Sequence, residues 1–221
     1  MLKEGFWDSL YKLKKNDAVS WYAKRLDLSL NLINENCSYK SSVIDIGSGR
    51  STLADDLYAL GYNRLTLLDI SGAALDQTLT RLGKLQVPVS TIRADILKTT
   101  LREDLYDLWH DRAVFHFLTE AKQRKAYLKN LKRSLKKGGI VIIATFGPSG
   151  PDKCSGLDIV KYDQHSLQKE IGKDFQLLGS KIDYHETPFG TSQQFIYCWF
   201  RLLPNIKDDK SESSLKRGLK I

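Results

Sequence analysis

The stretch Val43-Ile44-Asp45-Ile46-Gly47-Ser48-Gly49 puts two glycines directly after a short apolar run. Glycines there let a ligand approach the backbone where a helix begins and its N–H groups lack partners. A dinucleotide-binding fingerprint wants a third glycine at position 52 for close helix–strand packing, and Thr52 stands there instead. Asp45, two positions before the first glycine, discriminates further. A carboxylate at that point repels a pyrophosphate but attracts the ammonium and sulfonium of S-adenosylmethionine. The same residues also suit a tight turn with a capping aspartate.

Two more acids follow apolar runs. Leu67-Leu68-Asp69-Ile70 places a carboxylate 20 residues after Gly49, where it can accept both hydroxyls of a ribose. Asp69 equally suits capping the next helix. In Arg93-Ala94-Asp95-Ile96 the acid can accept from an adenine amino group. With the glycine turn, these give a cofactor set of Asp45, Gly47, Ser48, Gly49, Asp69, Ile70, Asp95 and Ile96, to which Trp21 is added as a ring that attracts a sulfonium. The expected cofactor is S-adenosylmethionine, leaving as S-adenosylhomocysteine. Methyl transfer is an in-line displacement, so the enzyme supplies approach geometry and sometimes a base. His110, Asp111, Arg112 and His116 are the candidates: either histidine as base, Asp111 orienting an acceptor amine, Arg112 holding an acidic substrate. His116 also reads as a hydrogen-bonded helix residue, and Asp111-Arg112 as an internal ion pair.

The elements that must position these groups alternate. Apolar runs at 42–46, 65–68, 87–92, 106–109 and 140–146 read as strands, and helical periodicity occupies 51–60 and 73–82. A further helix has Thr119 as N-cap, Glu120 in its first turn, Lys136-Lys137 at its end and Gly138 as its stop. Asp163 caps another helix. Residues 176–184 and 194–202 lack an intervening helix and read as an antiparallel hairpin. The expectation is a Rossmann-like α/β fold: a doubly wound, mostly parallel, seven-stranded sheet closing in a C-terminal antiparallel hairpin, in three α/β/α layers. Residues 1–204 form a single domain, with 1–36 a helical cap whose Trp7, Tyr11, Trp21 and Tyr22 fold over the cofactor as a lid or dock the first helix. Residues 205–221 read as a disordered charged tail.

These residues carry a resemblance. The glycine turn and the three strand-end acids resemble the cofactor motifs of class I S-adenosylmethionine-dependent methyltransferases, and the hairpin is similar to that family's reversed last strand. Phe6-Trp7-Asp8, Val19-Ser20-Trp21-Tyr22, Cys154-Ser155-Gly156-Leu157 and the block WHDRAVFHFL from Trp109 to Leu118 resemble, more narrowly, a group of small, mostly bacterial methyltransferases. Arg50 departs from the pattern, standing where many of the class carry a small residue. The resemblance implies methyl transfer to an N, O or S atom of an unidentified small-molecule acceptor. A protein side chain of the lysine type is the alternative.

Bulk properties narrow the classes. The chain has 221 residues, suited to one α/β domain. Its net charge of +8 is spread along lysine-rich segments without interleaved aromatics, so no specific nucleic-acid partner is expected. No apolar run is long enough for a membrane span or a signal peptide, and a cytoplasmic protein is expected. Cys37, Cys154 and Cys198 show no metal-ligand spacing, and no metal is expected. The sequence carries no sign of oligomeric state.

Overall fold

The alternation of strands and helices is realised in the computed structural model, which describes residues 4–204. The chain begins with α1 (Glu4–Leu13), a 3-10 turn at Asn16–Ala18 and α2 (Asp27–Asn36). Then come β1 (Val43–Ile46), α3 (Leu53–Ala59), β2 (Leu65–Asp69), α4 (Gly72–Lys84), β3 (Val89–Arg93) and β4 (Tyr106–Arg112). A 3-10 turn at Phe115–Phe117 leads to α5 (Ala121–Ser134) and β5 (Leu135–Phe146). A small ribbon, β6 (Lys153–Cys154) with β7 (Leu157–Asp158), precedes α6 (Gln164–Ile171), β8 (Phe175–Glu186) and β9 (Ser192–Leu202).

The main sheet has seven strands in the order β3-β2-β1-β4-β5-β9-β8. Pairing is parallel from β3 to β5, and β9 runs antiparallel to both β5 and β8. Helices cover both faces, because the central strands are apolar on both sides. Along β5 the side chains alternate: Ile140, Ile142, Ala144 and Phe146 join the layer with α1 to α4, while Val141 and Ile143 join the layer with α5 and α6. The Rossmann-like three-layer expectation holds. The strand order reverses at β1 and β4, and a doubly wound sheet binds its ligand outside the carboxyl ends at such a point.

Some boundaries differ from the sequence reading. β4 runs on to Arg112, because pairing with β1 and β5 continues through the polar residues His110, Asp111 and Arg112. Glu120, not Thr119, caps α5, and Gln123 Oε1 accepts the Glu120 N–H in return at 3.0 Å. α5 stops at Ser134, so Lys136 belongs to β5, where its ammonium lies 2.8 Å from both Asp107 oxygens. The N-terminal region, read as helical over 1–36, is two helices joined by a stretch that includes the 3-10 turn at Asn16–Ala18. The ribbon β6–β7 was not read from the sequence. The expected tail, 205–221, lies outside the described residues. No helix of these is long and apolar enough to cross a membrane.

Candidate functional site

Two adjacent cavities open at the carboxyl ends of β1, β2 and β4. The first is bordered by Asp69, Ile70, Asp95 and Ile96 below and by Trp7, Tyr11 and Phe117 above. The second is bordered by Asp45, Ser48, Gly49 and His110, with Val19, Tyr22 and Leu26 on its outer side. Tyr11, Trp21, Gly47 and Arg112 are common to both. The expected cofactor residues are therefore brought together around two adjacent cavities.

The glycine turn is held rigidly. Gly47 and Ser48 donate to the Leu68 carbonyl, at 2.7 and 3.1 Å, and Gly49 donates to Asp69 Oδ2 at 2.7 Å. Gly47 has φ +65° and Gly49 φ +52°, a region open to glycine. A Cβ on Gly47 would lie 2.1 Å from Val114 Cγ2, and one on Gly49 would lie 2.6 Å from the Tyr11 hydroxyl. The backbone thus leaves room that only hydrogen atoms can share. Beside it, the buried Ser48 hydroxyl has no partner. The unpartnered hydroxyl fits a ligand such as S-adenosylmethionine laid along the turn.

Asp69 has a second task besides any ribose contact. Its Oδ1 accepts the Ser71 N–H at 2.7 Å while Oδ2 holds Gly49, so it ties β2 to the turn. Burial pushes its pKa up to about 6 against those two donors, with Asp45 and Asp8 raising it further. Asp95 is similarly part-occupied by the Leu97 N–H at 2.9 Å.

Strand alternation separates the expected catalytic residues. His110 and Arg112 share the cavity face of β4, and Asp111 lies on the other. His110 Nδ1 meets Asp45 Oδ1 at 2.7 Å, as the register pairing of these two residues requires. The Arg112 guanidinium donates to the Trp21 carbonyl at 3.2 Å and packs 4.5 Å above the Phe195 ring. Its buried Nε has no partner, and no carboxylate pairs with it among the described residues. Asp111 is fully buried against α5. It accepts Tyr127 Oη at 2.5 Å and the N–H groups of Val114 and Phe115 at 2.9 and 3.3 Å. Its expected contact with an acceptor is not met, nor is an ion pair with Arg112. His116 is corrected too. It borders neither cavity, packs between Phe117 and Phe146, and burial lowers its pKa to about 3, too low for a base at neutral pH.

Of the aromatic cluster, Trp7, Tyr11 and Trp21 line the first cavity. Trp7 touches Trp21 and Phe117 with ring centroids 5.9 and 5.4 Å away. Polar contacts that were not read from the sequence also fasten α1. Asp8 braces the start of α4, whose N-cap is Ser71, accepting the Ser71 hydroxyl at 2.6 Å and the Ala73 N–H at 3.1 Å. Arg50 donates to the Lys14 and Lys15 carbonyls at 2.9 and 3.1 Å, and lies 5.0 Å from the centre of the Tyr11 ring. The departure at position 50 thus joins the glycine turn to the end of α1, while Arg50 also borders the second cavity.

Residues 43–139 match a family described as a methyltransferase domain. That span holds the glycine turn, the three strand-end acids and the cavity face of β4. Over that span the chain is similar to a methyltransferase domain, and S-adenosylmethionine is the cofactor such a domain calls for. An eEF1A lysine and N-terminal methyltransferase homolog of Drosophila pseudoobscura pseudoobscura is 24% identical over 140 residues, covering 61% of this chain and 21% of the relative. The eEF1A lysine and N-terminal methyltransferase of Homo sapiens is 22% identical over 181 residues, 82% of this chain and 24% of its own length. The chain therefore spans about a fifth to a quarter of these curated relatives. Among solved structures, one described by the conversion of a disulfide bond into a thioacetal group during echinomycin biosynthesis is similar, with TM-score 0.78 and 17% identity. It covers 97% of this chain and 98% of that one. The Burkholderia thailandensis 1,6-didemethyltoxoflavin-N1-methyltransferase, crystallised with its substrate and S-adenosylhomocysteine, aligns with TM-score 0.66 and 14% identity, over 80% of this chain and 77% of that one. At these identities the likeness is one of fold alone.

Proposed function

We propose that the chain transfers a methyl group from S-adenosylmethionine to an N, O or S atom of a small-molecule acceptor that carries an acidic group. The two adjacent cavities carry this reading. One offers Asp69 and Asp95 to a nucleoside, and the other offers Asp45 to the positive amino-acid end. Bound there, the cofactor supplies an activated methyl group. Trp7, Tyr11 and Trp21 then exclude water from the reacting atoms. Arg112 supports the acidic acceptor, since a guanidinium without a carboxylate at the junction of the cavities suits an anionic ligand group.

Calorimetric titration with S-adenosylhomocysteine, with NAD as control, is expected to show saturable binding to the first only. Binding of NAD alone would remove the reading. With an acceptor identified by screening, Arg112→Gln is expected to lower kcat/KM by roughly 10- to 100-fold through lost charge-assisted hydrogen bonds, at nearly unchanged S-adenosylhomocysteine affinity. An unaltered kcat/KM would place the acidic group elsewhere.

A protein side chain of the lysine type is the second reading. One observation favours it: a groove outside the second cavity shares Tyr22 and Ala23 with it and carries Asp27, Asp55, Asp56 and Glu186 against Lys24 and Arg25. The relatives named for eEF1A lysine and N-terminal methylation point the same way. Methylation of a protein by this chain, with no small acid turned over, would decide for it.

A further inference from the structure

A line of four buried side chains runs from β9 through α2 to the cofactor side of β1. Tyr197 Oη lies 3.2 Å from Ser29 Oγ, Ser29 Oγ lies 2.9 Å from His110 Nε2, and His110 Nδ1 lies 2.7 Å from Asp45 Oδ1. All four are under a tenth exposed, and neither Ser29 nor Tyr197 borders either cavity.

Donor and acceptor capacity sets the direction of this line. An ionised carboxylate only accepts, so Nδ1 carries the hydrogen given to Asp45. In the neutral ring Nε2 is then a lone pair, and the Ser29 hydroxyl must donate to it. A serine has one hydroxyl hydrogen, so Tyr197 must donate to Ser29. A doubly protonated ring would leave one hydroxyl hydrogen, that of Ser29 or that of Tyr197, buried without an acceptor among the described residues, which is costly. In the favoured direction every hydrogen is used. Nε2, occupied by Ser29, has no lone pair free for an acceptor's proton. The other Asp45 oxygen, Oδ2, has no donor among the described residues, and the carboxylate borders the second cavity.

We propose that Tyr197, Ser29 and His110 are positioning residues that hold the Asp45 carboxylate toward the positive end of the cofactor, and that His110 is not the base. This rests on the assignment of the second cavity to the amino-acid end of S-adenosylmethionine. Ser29 and Tyr197 act from outside the site, through the ring. Asp45 alone meets the ligand.

Two measurements test it. Nitrogen NMR of the histidine rings, with His110→Gln to assign the signal, is expected to show His110 as the Nδ1–H tautomer near neutral pH. An Nε2–H or doubly protonated ring overturns the proposal. Calorimetry on Ser29→Ala and Tyr197→Phe is expected to show S-adenosylhomocysteine bound roughly 3- to 10-fold more weakly, the scale of one buried hydrogen bond. Adenosine, which lacks the amino-acid end, is expected to bind as in the unaltered protein. Equal losses for both ligands would mean a packing defect, and no loss for either would mean no coupling; both results overturn the proposal. If the unaltered protein binds no S-adenosylhomocysteine, the cofactor reading falls and this one with it. Failure confined to the variants sinks this one alone.

Discussion

Affinity for S-adenosylhomocysteine is expected to fall about tenfold as the pH drops from about 7.5 to about 5, and Asp69 is the cause. Its carboxyl, lifted to about 6 by burial, is mostly ionised at the upper pH and about one-tenth ionised at the lower. The ionised form accepts hydrogen bonds from ribose hydroxyls, and a proton competes for the same oxygens. The unliganded protein should respond with the opposite sign. A carboxyl whose folded pKa exceeds its unfolded value holds its proton more tightly when native, so stability falls as pH rises from about 4 to about 6. Asp111, also lifted to about 6 by burial, adds to this stability slope without touching the ligand. Asp69→Asn separates the two. It should weaken binding by about 1–3 kcal/mol at neutral pH and flatten the pH profile of affinity, while leaving the part of the stability slope that Asp111 supplies. A steep profile that survives in Asp69→Asn would assign the titration to another group.

Asp69 shows how far the sequence could be read. Its place at a strand end, and those of Asp45 and Asp95, followed from apolar runs that the sheet realises as β1, β2 and β3. Its second task was hidden, because its partners are the backbone N–H groups of Gly49 and Ser71, and every residue type carries those. Arg50 was opaque for a similar reason: its partners include the carbonyls that end α1. The misplacement of Asp111 had a different cause. Ending the fourth strand at Trp109 treated His-Asp-Arg as a loop, in which all three could face one ligand. Continued as strand to Arg112, the same residues alternate, and a period of two sends Asp111 to α5. Ser29 gave no signal by type, since a serine within an amphipathic helix is ordinary, and Tyr197 stands 168 residues away in sequence. Contacts made by folding between such residues are written in no local pattern.

Gly47→Ala is expected to abolish detectable S-adenosylhomocysteine binding and to cost about 2–5 kcal/mol of stability. Two terms make up that figure. An alanine at φ +65° costs about 1–2 kcal/mol whatever surrounds it. Its methyl group, 2.1 Å from Val114 Cγ2, adds an overpacking cost of about 1–3 kcal/mol. The turn has little freedom to yield, since Leu68 holds Gly47 and Ser48, and Asp69 holds Gly49. Val114 is fixed as well, because Asp111 accepts its N–H from below. Ala113 between them is itself strained, at φ +71°. Val114→Ala removes the clashing Cγ2 but leaves the backbone strain. The double variant should therefore recover the overpacking part, a coupling of about 1–3 kcal/mol in a double-mutant cycle read by denaturant unfolding. Strictly additive costs would mean that Val114 is free to move, and that the buried Asp111 does not brace the cofactor turn. Coupling of the expected size would give Asp111 a function it performs without ever meeting a substrate: it holds the wall against which the glycine turn is shaped.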